Sequence, residues 1–324
     1  MSSGRLARLV LLTCALSFAT AIVARDAEHV KLPNGDSYDG EMRDGARSGK
    51  GTYVWANGSR YEGDFVADRM QGRGVYLWQD GRRYEGDFNA DRREGYGVLT
   101  WPNGDRYEGE FRADHMTGRG RFAWANQDVY EGDFIEDRRT GEGVFTWNTG
   151  ERYQGAFKDG ALSGQGVFVW PDRRRYTGGF VDGLKSGTGE FEWPNGNRYL
   201  GEFAADERQG LGVFYWRDGT VYHGEFRSNR MEGFGVKRQP DGTTEFQQWR
   251  EGSLLTAQPL APEPRCQAHF ADKDWMFRAD TCINGLAHGL GPAASLDGTL
   301  YIAEARFVLG QLISGEVMSL GSES

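Results

Sequence analysis

A chain of 324 residues with 48 glycines fits an array of small units better than two compact globular domains. Its formal net charge of -9 argues against the broad basic surface that DNA or RNA binding needs, so no nucleic acid is expected. Five histidines and three cysteines, none closely spaced together, argue against a zinc site.

Residues 1–24 read as an export signal. Arg5 and Arg8 form the basic start, and Leu9 to Phe18 form a short apolar core. Ala19-Thr20-Ala21 or Ile22-Val23-Ala24 supplies the small-residue cleavage site. Without that signal the chain carries 36 basic and 47 acidic residues, or -11. The run is short for a membrane span. An uncleaved N-terminal anchor is the alternative, and Cys14 in Leu11-Leu12-Thr13-Cys14 offers lipidation as a minor one. The expected destination is periplasmic or extracellular.

Residues 25–37 lead into the array. Leu32-Pro33-Asn34-Gly35-Asp36 has the form of a repeat's end, so this segment is expected to be a half-unit forming the first edge.

Residues 38–252 carry the repeats. Tyrosines stand at 38, 61, 84, 107, 130, 153, 176, 199 and 222, a step of 23 without insertion or deletion. A fixed period of this size means a repeat array. In the second unit the template is Tyr61, Gly63, Phe65, Gly72, Gly74, Trp78 and Gly81. Within each run these residues alternate with period two, so the runs read as strands. Pro102-Asn103-Gly104 and its counterparts suit a three-residue hairpin loop, with glycine at a positive φ. Gln127 and Arg173 replace that glycine, so those two turns must differ or carry strain.

Such a loop fixes the register. It sets Trp78 across from Arg82, Tyr76 from Tyr84, Gly74 from Gly86 and Gly72 from Phe88, with rings and glycines sharing one face. The opposite face then pairs Lys50 with Asp64, Arg73 with Asp87 and Arg119 with Asp133. Where the basic residue becomes Glu142, its partner becomes Ala156. Cross-strand charge pairs are worth about 0.2–1 kcal/mol each, so they refine register. Aromatic burial, about 1.5–3 kcal/mol per ring, drives folding. Glycine leaves room for a ring to lie flat on the backbone and permits strong twist.

Beyond about 245 the template decays. Residues 253–281 read as a Pro-containing linker and irregular segment, with a short helix expected over Asp272 to Asp280. Cys282-x-x-Gly285-x-x-x-Gly289-x-Gly291 matches Phe157-x-x-Gly160-x-x-x-Gly164-x-Gly166, and Tyr301 follows at the template distance. Residues 282–324 are therefore expected to be divergent repeats capping the array's open edge. Cys266 and Cys282, alone in the exported part, suggest one disulfide; two free buried thiols are the alternative.

The repeats resemble MORN repeats: Tyr61, Gly63, Phe65, Gly72, Gly74, Asp80 and Gly81 carry the family's Tyr-x-Gly-x-aromatic, Gly-x-Gly and Asp-Gly turn. The resemblance implies an all-β, elongated, strongly twisted single-layer antiparallel sheet of hairpins. It also implies links to anionic lipids, protein partners and self-association. It transfers a fold and not a site, because the matching positions are structural.

No Gly-x-x-x-x-Gly-Lys-Ser/Thr loop is present, and the segments outside the repeat are too short for a kinase or methyltransferase domain. Any phosphatidylinositol phosphate kinase label would come from the shared repeat. The carboxylate pairs Glu62/Asp64, Glu85/Asp87, Glu108/Glu110 and Glu131/Asp133 could hold calcium or act as acid and base. The simpler reading is a solvated face neutralised by Arg60, Arg83 and Arg106. No catalytic residue, cofactor or metal is expected. His115, His223, His269 and His288 read as surface or packing residues. Arg69, Arg92, Arg93, Arg138, Arg139 and Arg208 should line one long edge, where they could meet phosphate head groups or an anionic polymer. An uncovered part of the aromatic groove could instead stack sugars or accept a protein. The expectation is a non-catalytic exported scaffold or protein-interaction protein of the cell envelope, meeting a protein partner or a second copy of itself. The alternative is a binding module for anionic lipid head groups or cell-wall polysaccharide.

Overall fold

The computed structural model describes residues 27–259, 268–277, 282–283 and 286–319. The export segment, Cys14 and Cys266 lie outside the described residues, as does the side chain of Cys282. Among the described residues there is no helix. Each unit supplies a seven-residue strand such as Arg60–Val66 and a nine-residue strand such as Arg69–Leu77. Every strand pairs antiparallel with its neighbours in sequence. The result is one sheet of 21 strands, from Ala27–Lys31 to Ser253–Pro259.

The pairing follows the three-residue loop. Gly72 faces Phe88, Gly74 faces Gly86 and Tyr76 faces Tyr84, while Trp78 N–H donates to Arg82 O at 2.9 Å. Lys50–Asp64, Arg73–Asp87, Arg119–Asp133 and Glu142–Ala156 are opposed as expected. Gln127 and Arg173 keep the same loop as the glycine units, at φ 75° and 73°. They therefore hold a left-handed conformation that disfavours a side chain.

The second turn of each unit is tighter than the sequence suggests. Ala67 and Asp68 both have positive φ, 45° and 68°, as a two-residue hairpin turn of the primed kind requires. The aspartate of this turn reaches the preceding unit. Arg47 N–H donates to Asp68 Oδ1 at 2.9 Å, and Met70 N–H to Asp91 Oδ1 at 2.8 Å. Each turn thus fastens one repeat to the next.

The tyrosine carries the core. Tyr61 is fully buried and its hydroxyl donates to Asp64 O at 3.0 Å, which folds the ring over Gly63 and Gly74. A Cβ on Gly74 would come within 2.6 Å of Tyr61 Cζ. Gly72 serves a different purpose: at φ 61° it forms a bulge where the register jumps between Gly63–Gly74 and Asp64–Gln71. Tyr61 also stands edge-on to Phe65 at 5.1 Å and to Phe88 of the next unit at 5.0 Å. This T-shaped chain continues through Tyr84 and Phe111 to Tyr199 and Phe226, each contact worth about 0.5–1.5 kcal/mol beyond burial. Beside it, half-buried tryptophans alternate with Phe or Tyr, as in Phe122–Trp124 at 4.4 Å and Trp124–Phe145 at 5.3 Å. Leu99 interrupts that second column.

Three expectations for the C-terminal part are corrected. The linker does not start at 253, because Ser253–Pro259 is the last strand of the long sheet. The segment Asp272 to Asp280 holds no helix in its described part; Lys273–Phe277 is a strand. The cap follows neither the repeat register nor the array's edge. Ala294, not Ala293, pairs with Tyr301, and the strands Ala268–Phe270, Lys273–Phe277, Gly289–Ser295, Leu300–Val308, Gln311–Ser314 and Met318–Ser319 form a sheet of their own. One side of that sheet builds a small core from Trp275, Phe277, Ile302 and Phe307. The other side packs Met276, Ala294 and Tyr301 on Val236 and Phe246 of the last repeats. The central strands Lys273–Phe277 and Gly289–Ser295 bury consecutive residues on both faces, so they show no clean alternation.

Three substitutions test this packing. Gly74→Ala should lower unfolding stability by about 2–3 kcal/mol through overpacking against Tyr61. Gln127→Gly and Arg173→Gly should each raise it by about 1 kcal/mol by releasing positive-φ strain, measured as shifts in urea midpoint at constant slope.

Candidate functional site

The residues singled out in the sequence divide sharply in the structure. Of the paired carboxylates on the opposite face, all but Glu110 have a cation within 4 Å among the described residues. Arg60–Glu62 is 2.8 Å, Arg83–Glu85 2.7 Å, Arg106–Glu108 2.6 Å and Arg121–Glu131 3.0 Å. Lys50 takes Asp64 at 2.6 Å and Arg119 takes Asp133 at 3.2 Å. Among the described residues no three acidic, His or Cys groups come together as a metal cluster. This is a neutralised, solvated surface.

The six arginines fall into two sets. Arg69, Arg92 and Arg138 begin their strands and are exposed, with Arg138 bound to Asp159 at 3.0 Å. Arg93, Arg139 and Arg208 turn inward over the rings. Arg93 lies 5.1 Å from the Phe111 centroid and 5.7 Å from that of Tyr84, and its Nε meets Asp114 at 3.2 Å. Arg139 donates to Gly160 O at 2.7 Å and Arg208 to Asn229 O at 2.6 Å. Burial lowers the pKa of both. These three guanidiniums fasten consecutive units by cation–π contact and charge-assisted hydrogen bonds. On the ring face the described tyrosines and phenylalanines of the repeats are core, and the tryptophans are half-buried among neighbours.

The feature that sequence reasoning missed is a gradient along the opposite face. The position after each tyrosine runs Glu62, Glu85, Glu108, Glu131, Gln154, Thr177, Leu200, His223, and Phe246 follows in the last unit. The position of Arg73 runs Arg73, Tyr96, Arg119, Glu142, Gln165, Thr188, Leu211, Phe234. Charge gives way to apolar side chains where the cap sits. The signal is present in the sequence, although the carboxylate pairs of the early units suggest a uniformly solvated face.

Two hollows result. The first is an open trough of about 590 Å³ on the early repeats, lined by Lys50, Glu62, Arg73, Val75, Glu85 and Tyr96. Tyr96 is half-exposed, and its hydroxyl donates to Glu108 at 3.0 Å. The second, of about 220 Å³, lies between late repeats and the cap and includes Leu200, Leu211, His223, Glu316 and Met318. His223 is 4% exposed, and desolvation pushes its pKa down to about 4, with Arg238 adding to the shift. Glu225 moves the other way: burial raises it, and Glu304 and Glu232 reinforce that. His115, by contrast, is exposed and raised by its bond to Asp137 at 2.6 Å. His269 is exposed beside Asp274 at 3.0 Å.

A family model described as MORN repeat matches residues 38–60, 61–82, 84–106, 107–129, 130–152, 153–173, 176–198, 199–221 and 222–244. No curated protein matches the chain. Similar solved structures include the TCP10c domain of Drosophila melanogaster Sas-4, at 17% identity and a TM-score of 0.30, covering 47% of this chain and 91% of that one. The wild-type TCP10 domain of Danio rerio CPAP shares 15% identity at a TM-score of 0.29, over 71% and 99% of the two chains. The Drosophila melanogaster SAS-4 (dCPAP) TCP domain, in complex with a proline-rich motif of Ana2 (dSTIL), shares 12% at 0.22, over 75% and 99%. Scores this low carry no argument about a site.

His223 should make the cap junction acid-sensitive. Above pH 6.5 the ring is neutral both folded and unfolded. Between 6.5 and about 4 only the unfolded ring takes a proton, so stability falls as pH falls, by about 3 kcal/mol in all. Glu225 opposes this, since its buried carboxyl is relieved by protonation. Unfolding of wild type and His223→Gln across pH 7 to 4 should show a steeper acid loss in wild type; parallel curves would contradict the assignment.

Proposed function

Because the chain belongs to the MORN-repeat family, we propose that it is a non-catalytic, exported scaffold of the cell envelope that presents its charged face to a protein partner. One observation carries this reading. The same face, at the far end of the array, already seats a folded sheet of this chain, with Met276, Ala294 and Tyr301 packed on Val236 and Phe246. Nothing among the described residues covers the trough between Lys50 and Val98. It offers a rigid floor of paired strands, alternating charges and one half-exposed tyrosine, the composition of a polar interface with an aromatic anchor. The complete neutralisation of its carboxylates supports docking over proton transfer.

The export part rests on the basic start and apolar core of residues 1–24. N-terminal sequencing of the mature protein should begin near residue 22 or 25. Alkylation without reduction should leave Cys266 and Cys282 unmodified if they are bridged.

Photo-cross-linking in cells from position 73, on the same trough, should capture a protein. Tyr96→Arg combined with Glu85→Lys should abolish capture while leaving thermal unfolding within about 4 °C of wild type. Retained capture in that variant overturns the docking surface. Capture of a second copy would make the partner this chain itself. Salt-sensitive retention on anionic liposomes or cell-wall material, lost when Arg69, Arg92 and Arg138 are replaced by Gln, would move the reading to a lipid- or polysaccharide-binding edge.

A further inference from the structure

The cleft between the late repeats and the cap has a chemistry of its own. Its apolar side comes from Leu200, Leu211, Val213 and Met318. Its titratable groups are Glu202, Glu316 and His223, beside Thr188 and Ser319, and no Lys or Arg lines it. Glu202 accepts one long hydrogen bond, from Leu211 N at 3.3 Å. Glu316 is exposed at the rim. His223 is buried to 4% exposure, and its Nδ1 has no hydrogen-bond partner among the described residues. A buried polar atom left unpaired costs about 1–3 kcal/mol, so a partner supplied from outside would recover that loss.

The three groups share one property: at neutral pH all can accept hydrogen bonds. The carboxylates are acceptors only, and a neutral imidazole carries one accepting nitrogen. They are not gathered closely enough to share a metal ion, since no such cluster exists among the described residues. An ammonium group, with three donors and no acceptor, complements them. The volume of about 220 Å³ holds about seven waters, or one small ligand. We propose that this cleft, with Glu202 and Glu316 at its polar side and His223 beneath, binds a small amphipathic organic cation, an alkyl- or arylalkylammonium. The apolar body lies on Leu200 and Leu211, and the ammonium faces the carboxylates. Met318, an unbranched side chain with three torsions, also lines the cleft and can adapt to the ligand.

The test uses the full-length mature protein and 2-phenylethylammonium as the probe, with 2-phenylethanol and phenylacetate as controls. Titration followed by the His223 imidazole resonances should show saturable binding. The alcohol should bind roughly tenfold more weakly, and phenylacetate weaker still. Glu316→Gln removes an exposed carboxylate, so it should fold normally and lose several-fold in affinity. Leu200→Trp, at a position 41% exposed, should fill the cleft and abolish binding. Absence of a saturable shift overturns the proposal. So does equal affinity for ammonium and alcohol, or binding unchanged in both variants. The trough is a separate surface, so this outcome leaves the docking reading untouched, and failure to capture a partner leaves this one untouched.

Discussion

The structure depends on one close contact, a tyrosine ring laid over two glycines that face each other across a strand pair. The hydroxyl reaches past them to a backbone carbonyl three residues on, as Tyr61 does to Asp64. That single placement explains several features of the repeat at once. Gly63 and Gly74 must lack side chains because the ring occupies their space. Phe65 and Phe88 both stand perpendicular to the tyrosine, one from its own unit and one from the next. A one-layer sheet normally exposes half its apolar surface; here the bend at the glycines lets the rings cover one another. The array therefore needs no second layer until it reaches its last units, where the opposite face has itself become apolar.

Cohesion between units comes from polar contacts as well. Asp68, Asp91, Asp137 and Asp206 each accept a backbone N–H from the preceding unit. Arg93, Arg139 and Arg208 span the ring face in the same direction, each binding a main-chain or carboxylate oxygen one unit on. These residues look like a charged loop in the sequence. In space they are partners of the neighbouring repeat, which leaves only the outward set, Arg69, Arg92 and Arg138, for solvent.

Most of the repeat was legible because two local facts fix it. Loop length sets the register, and the joint change to Glu142 and Ala156 supports it from the sequence alone. The inward arginines were not legible, because nothing in Asp91-Arg92-Arg93 says which cation meets a ring 18 residues further along, at Phe111. The cap was misread for a physical reason. Trp275, Met276 and Phe277 are all buried, alternately on two sides, so the strand shows no alternation and its length suits a helical turn equally well. Ser253–Pro259 was hidden by the absence of the tyrosine-and-glycine template, because an edge strand needs only one paired neighbour. The gradient from Glu62 to Phe246 was in plain view, but a position-by-position template averages over such a trend.

The cap's seat also bears on how such a molecule can lengthen. Its footprint reads residues peculiar to the final units, Val236 and Phe246 above all, whereas the ring face is nearly the same in every unit. Genetic duplication of a whole 23-residue block upstream would extend the rod and leave that seat intact. The same event within the seat would slide polar side chains beneath an apolar lid. Heredity can therefore add length at one end only, and the distance from lid to trough is the quantity such events would tune.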